Sequence, residues 1–286
     1  MQIAHSIEDL RRLLTPVKQR SFVPTMGNLH AGHLELVKVA KQTLPEATCV
    51  ASIFVNRLQF APHEDFDSYP RTFAKDCELL EAQGCDVVFA PQEKDLYPEP
   101  QVFKVHPPAE LADILEGAFR PGFFIGVSTV VHKLFNCVQP DVAVFGKKDY
   151  QQLMVIKRMV QQMALPIHIV GVDTLRADDG LALSSRNGYL SAEERARAVE
   201  LSGTLKHMVT SVRDKRSNLS GDVTKVVAQI EDHAMQTLRD KGWQPDYMTV
   251  RHQHDLSTVT QFSDLPLVVL GAARLGSTRL IDNLEI

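Results

Sequence analysis

The sequence lacks most of what marks a disulfide-bonded, zinc-binding or nucleic-acid-binding protein. It has one tryptophan and four cysteines in 286 residues. The cysteines, Cys49, Cys77, Cys85 and Cys137, form no CxxC pair, which predicts buried reduced thiols and no redox or zinc site. Its 31 basic residues are matched by 35 acidic residues, and no basic run tracks a phosphate backbone. We therefore expect no nucleic-acid partner.

Long apolar runs are also absent. The segment MQIAHSIEDLRRLL lacks the charged, apolar and small-residue pattern expected of a signal peptide, and no later segment is apolar for long enough to cross a bilayer. We expect a soluble, cytoplasmic protein with no membrane partner. The length and the 44% hydrophobic content suffice for two separate cores.

The pattern along the chain predicts two domains. In residues 1–177, five β-branched runs alternate with helical patterns, which is typical of a doubly wound, Rossmann-like parallel α/β sheet. Residues 178–286 predict a smaller α+β lid domain with two long helices, at 191–215 and 221–241, and three short strands. The five predicted strands of the first domain are residues 21–24, 48–55, 85–90, 141–145 and 167–172.

The segment PTMGNLHAGH, residues 24–33, is the strongest candidate ligand site. A glycine-containing turn separates an apolar run from a helical pattern that starts near His30, which predicts a strand, a loop and a helix N-terminus. Gly27 and Gly32 let backbone amides approach an anion, and the helix dipole favours negative charge. His30 and His33 share one edge of the first turn. A triphosphate site is therefore favoured over a capping turn with two surface histidines.

Amide side chains follow a second predicted strand, at the edge of the sheet where open α/β folds bind ligands. Asn56 and Gln59 can hold hydroxyls and carboxylates without adding charge. A turn-capping role for Gln59 is an equally good reading of this segment alone.

Lysines and serines mark two further candidate phosphate contacts. In GKKD, residues 146–149, Lys148 can neutralise phosphate charge, and Asp149 can cap the following helix, hold a ribose hydroxyl or position magnesium. The segment LALSSRN, residues 181–187, supplies two hydroxyls and Arg186 on a loop, which suits a lid over phosphates. A solvated lysine pair and an ordinary loop are the competing interpretations.

Seven segments, in order, resemble the pantothenate synthetase (pantoate-beta-alanine ligase) family: PTMGNLHAGH, SIFVNRLQF, YPRT, LEGAFRPG, GVSTVVHKLFNCVQPDVAVFGKKDYQQL, DGLALSSRNGYLS and RLIDN. HAGH is also similar to the HxGH motif of the wider adenylyl-transferring superfamily. The resemblance implies a homodimeric ligase that joins (R)-pantoate to beta-alanine. It would use ATP and Mg²⁺, form pantoyl-adenylate as an intermediate, and release pantothenate, AMP and pyrophosphate.

The resemblance also implies roles for individual residues. The implied catalytic residues are His33 as proton donor, His30, Lys148 and Arg186. The implied substrate contacts are Gln59, Gln152, Asn56 and Arg120, although Arg120 could instead fix its own loop through Glu116. Because Mg²⁺ in such sites takes only one or two carboxylates, Asp76 and Glu116 are the candidate magnesium ligands, and Asp76 could equally be a solvated helix residue. The implied ATP contacts are Met26, Gly27, Asn28, Leu29, His30, Ala31, Gly32, His33, Gly146, Lys147, Lys148, Asp149, Leu175, Leu183, Ser184, Ser185 and Arg186.

Several positions depart from the family pattern. Phe119 and Phe123 stand where histidines are usual, and Ile125 stands where a polar residue is common. Arg57 replaces a proline, and Lys147 replaces a frequent acidic residue. The phenyl rings remove hydrogen-bond donors and make the loop at residues 119–125 more apolar. We therefore expect weaker interaction with the substrates and unchanged ATP binding.

Two alternatives stay open at this stage. One is a nucleotidyltransferase that moves AMP or CMP to a phosphorylated acceptor, because HxGH and a serine-rich lid are shared across the superfamily. The other is a catalytically silent nucleotide-binding relative, which the two missing histidines would suit.

Overall fold

A computed structural model describes residues 1–62, 64–218 and 221–286. Its strands are β1 Gln2–Ala4, β2 Arg20–Thr25, β3 Thr48–Ile53, β4 Val87–Phe89, β5 Val142–Gly146, β6 His168–Val172, β7 Gln244–His252, β8 Leu267–Leu275 and β9 Thr278–Glu285. Its α-helices are α1 Ile7–Leu14, α2 Ala31–Thr43, α3 Phe73–Ala82, α4 Glu93–Leu96, α5 Ala109–Ala112, α6 Glu116–Phe119, α7 Phe123–Val138, α8 Tyr150–Gln162, α9 Ala192–Arg197, α10 Val199–Asn218 and α11 Val223–Asp240. None of the helices in these ranges has both the length and the apolar character needed to cross a membrane.

The chain divides into two compact units. The first unit contains Met1–Lys147 and Gln151–Leu175, and the second contains Lys148–Tyr150 and Arg176–Ile286. The domain limits inferred from the sequence, 1–177 and 178–286, stay a prediction.

The first unit is built on a six-stranded parallel sheet in the order β1-β4-β3-β2-β5-β6. This confirms the doubly wound α/β fold class. β1 is an additional strand that the sequence pattern does not indicate, because three residues show no periodicity. It pairs with β4 at the edge of the sheet, where Gln2 lies opposite Val87.

Both faces of this sheet are covered because side chains alternate along each strand. On β2, Val23 belongs to a buried cluster that includes Val37 and Ala40 of α2. Its neighbour Phe22 faces the other side, where its ring meets Phe135 of α7 with centroids 6.3 Å apart. Helices therefore pack on opposite faces, as a doubly wound sheet requires.

The strand order reverses between β2 and β5, which makes this pair the topological switch point where such folds bind ligands. The two strands pair only at Ser21 with Val142 and at Phe22 with Ala143. Beyond these pairs they are no longer hydrogen-bonded, although β2 continues to Thr25 and β5 to Gly146. The carboxyl ends of β2 and β5 therefore flank a crevice, and the predicted loops begin there.

The second unit is a three-stranded antiparallel sheet in the order β7-β8-β9, against which α10 and α11 pack. Its core includes Leu205, Trp243 and Val269. The helix predicted at 191–215 is interrupted at Ala198, so the structure has two helices there, α9 and α10. The smaller α+β part of the predicted fold is thus confirmed.

Candidate active site

The loop between β2 and α2 carries the first candidate phosphate site. His30 is the N-cap of α2, and its Nδ1 accepts a hydrogen bond from the Gly32 backbone N–H at 3.1 Å. Nδ1 of His33 accepts in turn from the His30 backbone N–H at 3.3 Å. These reciprocal bonds form a capping box made of two histidines, with ring centroids 4.1 Å apart. The three-residue spacing of HxxH is thus the spacing from N-cap to third helical position.

The capping box fixes the tautomer of both rings. Because each Nδ1 accepts a hydrogen bond, each neutral imidazole carries its proton on Nε2. Both His30 and His33 therefore present an N–H donor at Nε2. Donors held in place at a helix N-terminus suit negative charge that develops on a phosphate group.

A carboxylate from α3 holds the same loop. The two oxygens of Asp76 accept from the backbone N–H groups of Asn28, at 2.9 Å, and Leu29, at 2.8 Å. The Thr72 hydroxyl lies 3.1 Å from each oxygen. Gly27 and Asn28 have φ of 84° and 49°, so the loop turns through left-handed backbone. A Cβ on Gly27 would lie 3.0 Å from Oδ2 of Asp76, which leaves little room for a side chain.

These bonds bear on the predicted magnesium site. Asp76 is 1% exposed, and both of its oxygens already accept hydrogen bonds that shape the loop. Within the described ranges, no group of three or more His, Cys, Asp or Glu side chains is arranged to hold a metal ion. The donor set does not fit a magnesium site built by the protein, and the assignment of Asp76 to the metal stays a prediction without support from the geometry.

Asn56 and Gln59 lie in the turn that follows β3. Asn56 is 1% exposed, and its Nδ2 donates to Oε1 of Gln59 at 3.1 Å and to the Gly126 carbonyl at 3.2 Å. Its Oδ1 accepts from the Tyr97 hydroxyl at 3.0 Å. Nε2 of Gln59 donates to the sulfur of Met26 at 3.3 Å. The structure thus brings Gln59 to the start of the histidine loop, while Asn56 is enclosed by protein partners.

The two glutamines at the start of α8 differ in their surroundings. Gln151 is 3% exposed and bonds to the carbonyls of Leu111 and Ile114, each at 2.8 Å, and to the Glu116 backbone N–H at 3.0 Å. It therefore holds the segment between α5 and α6. Gln152, the predicted pantoate contact, is only partly buried.

The carboxyl end of β5 lies at the other side of the crevice. β5 ends at Gly146, which pairs with Val172 of β6. Lys147 forms an ion pair with Asp173 at 2.8 Å. The family often has an acid at the position of Lys147. Here the lysine is paired with an acid, Asp173, that directly follows the neighbouring strand β6. Leu175, the predicted adenine contact, is 39% exposed.

Arg120 is fixed in place by three different partners. Its Nε and Nη2 lie 2.6 and 2.8 Å from the two carboxylate oxygens of Glu64, and Nη2 also donates to the Gln59 carbonyl at 3.2 Å. Its guanidinium lies over the Phe123 ring, 3.7 Å from the centroid. The alternative in which Arg120 fixes its loop is therefore supported, with Glu64 as the ion-pair partner in place of the expected Glu116.

Two other departures from the family pattern, Arg57 and Phe119, lie at the surface, and Ile125 is partly buried. Arg57 places its guanidinium 3.9 Å from the centroid of the Phe66 ring and its Nε 3.4 Å from Glu93. Phe119 is 48% exposed. The exposed Arg57 ion pair adds little stability, because water and salt screen it.

The second unit holds the remaining predicted contacts. Lys148 and Ser184 line one small cavity there, together with Asn187. The Lys148 side chain is 19% exposed, and its backbone carbonyl accepts from the Asn283 side chain at 2.9 Å. Ser184 accepts from the Arg186 backbone N–H at 3.3 Å and caps the short turn Ser185–Tyr189. Lys148 and the serine loop are therefore brought together within this unit.

Other contacts also position these loops. An ion pair between Arg176 and Asp282, at 2.7 Å, closes the base of the turn in which Arg176 bridges to Ala182. Lys148 Nζ lies 3.9 Å from Asp149.

Three positioning contacts are missing from the sequence-based set: Tyr97, Glu64 and Arg176. Each acts through a residue between 41 and 106 positions away along the chain. Local patterns do not carry such pairings. The only local signal is that their partners Asn56, Arg120 and Asp282 fall in the segments SIFVNRLQF, LEGAFRPG and RLIDN, whose letters do not encode these contacts.

The chain has an open parallel sheet, and a helix capped by histidines begins at its switch point. These features define a doubly wound α/β protein of the kind that binds its ligand at the carboxyl edge of the sheet. The family model described as Pantoate-beta-alanine ligase matches residues 2–285. The chain therefore belongs to the pantoate-beta-alanine ligase family, and it is an enzyme of the ligase class.

Individual relatives agree with the family match. The chain is 59% identical to the pantothenate synthetases of Leptothrix cholodnii, over 293 residues, and Verminephrobacter eiseniae, over 290 residues, with full coverage of both chains in each case. It matches the crystal structure of pantothenate synthetase from Thermus thermophilus with a TM-score of 0.89 and 41% identity over 99% of each chain. A Francisella tularensis pantoate-beta-alanine ligase, crystallised with beta-gamma ATP and beta-alanine, matches with a TM-score of 0.78 and 32% identity, covering 99% of this chain and 97% of that one.

Proposed function

We propose that this enzyme joins pantoate to beta-alanine at the expense of ATP, through pantoyl-adenylate. In the first step a pantoate carboxylate oxygen attacks the α-phosphorus of ATP, and the bond to the leaving pyrophosphate breaks. In the second step the beta-alanine amine attacks the acyl carbon of the mixed anhydride, and AMP leaves with the bonding electron pair. The amine loses a proton, and the product is pantothenate.

The observation that carries this proposal is the start of α2. Two imidazoles that donate from Nε2 lie beside a helix N-terminus, at the switch point of the sheet. Negative charge builds up on the pyrophosphate as it leaves, and donors held in advance stabilise it without reorganisation. His33 and His30 take this role, with His33 as the proton donor. Residues 26–33 provide the surrounding ATP contacts.

Cationic and hydroxyl groups of the second unit are further proposed phosphate contacts. Lys148 and Arg186 neutralise phosphate charge, and Ser184 and Ser185 donate hydrogen bonds to it. Lys148 and Ser184 line the same small cavity and are therefore neighbours, which is consistent with this proposal. Gly146, Lys147 and Asp149, with Leu175 and Leu183, supply the remaining ATP contacts.

Amides form the acid pocket of the proposal. Gln59 and Gln152 contact pantoate, because amides bind a carboxylate and hydroxyls without introducing a charge. Asn56 and Arg120 act by holding Gln59, since one donates to its side chain and the other to its backbone carbonyl. The Francisella enzyme, crystallised with beta-gamma ATP and beta-alanine, supports ATP and beta-alanine as ligands of this chain.

Magnesium enters the proposal only as a companion of the ATP phosphates. When it is bound, it neutralises part of their charge, and substrate oxygens and water supply most of its ligands. We assign it no protein ligand and no separate step. A cytoplasmic homodimer remains the expected form of the enzyme, and its mass in solution, measured by light scattering, tests the dimer.

Product analysis separates a ligase from a nucleotidyltransferase. With ATP, pantoate and beta-alanine, we expect AMP, pyrophosphate and pantothenate in equal amounts. Omitting beta-alanine is expected to prevent AMP release, while about one equivalent of pyrophosphate per site is released as the bound adenylate forms. A stable nucleotidyl product that accumulates without an amine would favour the transferase, and no product at all would favour a silent relative.

A further inference from the structure

We propose that Tyr97 is a positioning residue, which acts through Asn56 to fix the end of the Gln59 amide that faces the substrate. The proposal rests on the proposed function, because it takes Gln59 as the pantoate contact. Tyr97 itself has no place in the binding set described above.

The orientation of Asn56 follows from its partners. The Gly126 carbonyl can only accept a hydrogen bond, so the Asn56 nitrogen must face it, at 3.2 Å. The Asn56 oxygen then faces Tyr97, whose hydroxyl donates to it at 3.0 Å. Since Asn56 is 1% exposed, losing this donor would deprive a buried oxygen of the hydrogen bond that holds it.

Asn56 in turn orients Gln59. The second N–H of the Asn56 amide donates to Oε1 of Gln59 at 3.1 Å, so Nε2 of Gln59 points to the sulfur of Met26, 3.3 Å away. A thioether is a weak acceptor, so this nitrogen keeps donor capacity for a carboxylate or hydroxyl. The reversed amide would present a carbonyl oxygen to an anionic acid, which is repulsive.

The Tyr97 ring is held independently of its hydroxyl. It packs against Phe54, with ring centroids 5.9 Å apart, and the ammonium of Lys133 lies 4.8 Å from its centroid. The preceding residue, Leu96, is fully buried at the end of α4. Tyr97→Phe therefore removes the donor and keeps the packing.

Steady-state kinetics of Tyr97→Phe test the first part of the proposal. We expect the KM for pantoate to rise about tenfold, the size of one net hydrogen bond, with kcat and the KM for ATP changed by less than about twofold. Tyr247→Phe, which removes a phenol hydroxyl from β7 of the second unit, is the matched control and should leave all three constants unchanged. Equal effects of both variants would overturn the proposal.

A double-mutant cycle with Gln59→Ala tests the second part. If Tyr97 acts through Gln59, Tyr97→Phe has no further effect on the pantoate KM once Gln59 is alanine. The same factor in both backgrounds would show that Tyr97 acts independently of Gln59, and an unchanged KM in Gln59→Ala alone would remove the contact on which Tyr97 acts. Either result overturns the positioning role of Tyr97. Neither affects the proposed function, which would fail only if the enzyme formed no pantothenate from ATP, pantoate and beta-alanine.

Discussion

The imidazole of His33 accepts a hydrogen bond from the backbone of His30, and the two rings lie with centroids 4.1 Å apart and their planes tilted by 37°. Each histidine therefore has two separable tasks. Nδ1 stabilises the start of α2, and in the proposed function Nε2 donates to the phosphates. Substitutions that keep one nitrogen and lose the other can separate the two.

His33 is the first position to test. His33→Asn keeps an acceptor near Nδ1, whereas His33→Gln keeps a donor near Nε2. We expect His33→Ala and His33→Asn to slow adenylate formation about 10²- to 10³-fold, the usual effect of removing one preorganised donor. His33→Gln should keep more activity than either, although it lacks the cap. Quenched-flow measurement of adenylate checks this, and equal rates in the Asn and Gln variants would contradict it.

Asp76→Asn should weaken the histidine loop. One carboxylate oxygen becomes an NH₂ group that faces a backbone N–H of Asn28 or Leu29, so a buried donor loses its acceptor. We expect a loss of about 1–3 kcal/mol in the free energy of unfolding and a higher KM for ATP. Urea denaturation and kinetics measure both, with the exposed Glu78→Gln on the same helix as control.

The magnesium dependence of Asp76→Asn distinguishes the two roles of this residue. If Asp76 only holds the loop, the variant and the wild type should reach half-maximal rate at the same magnesium concentration when ATP is saturating. A large increase in that concentration would instead favour Asp76 as a metal ligand.

Gly126→Ala should displace the turn that carries Gln59. A Cβ at this position would lie 2.2 Å from the Leu58 carbonyl oxygen and 2.8 Å from the Gln59 Cα, so helix and turn must separate. We expect a higher pantoate KM and a lower melting temperature. Gly203→Ala on α10 meets no atom within 4 Å and should be neutral or stabilising by up to about 1 kcal/mol. Similar melting temperatures for the two variants would show that the close approach is unimportant.

The Tyr97 hydrogen bond should be insensitive to pH through the neutral and mildly alkaline range. Burial raises the pKa of Tyr97, and the nearby Glu93 raises it further. A raised pKa in the folded state means that the stabilisation is fully present below the unfolded value of about 10 and is lost only as pH rises through the folded value. The ratio of pantoate KM between Tyr97→Phe and the wild type should therefore be constant from about pH 7 to 9. A ratio that falls to one within that range would contradict the assignment of Tyr97 as donor.

The sequence predicts the parts of this molecule that depend on local pattern. Five of the six parallel strands show β-branched runs, and the start of α2 at His30 is visible because a glycine turn precedes a helical period. The short edge strand Gln2–Ala4 is invisible to such a pattern, since its pairing with β4 is set by residues more than eighty positions away.

Sequence patterns nominate candidate site residues, but they do not show the contacts of those residues. Asp76 lies on a helical pattern that suits a surface carboxylate, yet tertiary packing buries it beneath a loop 47 residues earlier in the chain. Arg120 offered two readings from sequence, and only the packed structure selects Glu64 as its ion-pair partner. Long-range hydrogen bonds decide these roles, and no periodicity encodes them.

The most direct test of the account is isotope exchange between pyrophosphate and ATP in the absence of beta-alanine. A carboxylate that attacks ATP to form a bound adenylate makes the first step reversible without an amine. We therefore expect exchange that requires pantoate, persists without beta-alanine, and is greatly reduced in His33→Ala. Exchange that needs beta-alanine, or that is undiminished in His33→Ala, would contradict the account.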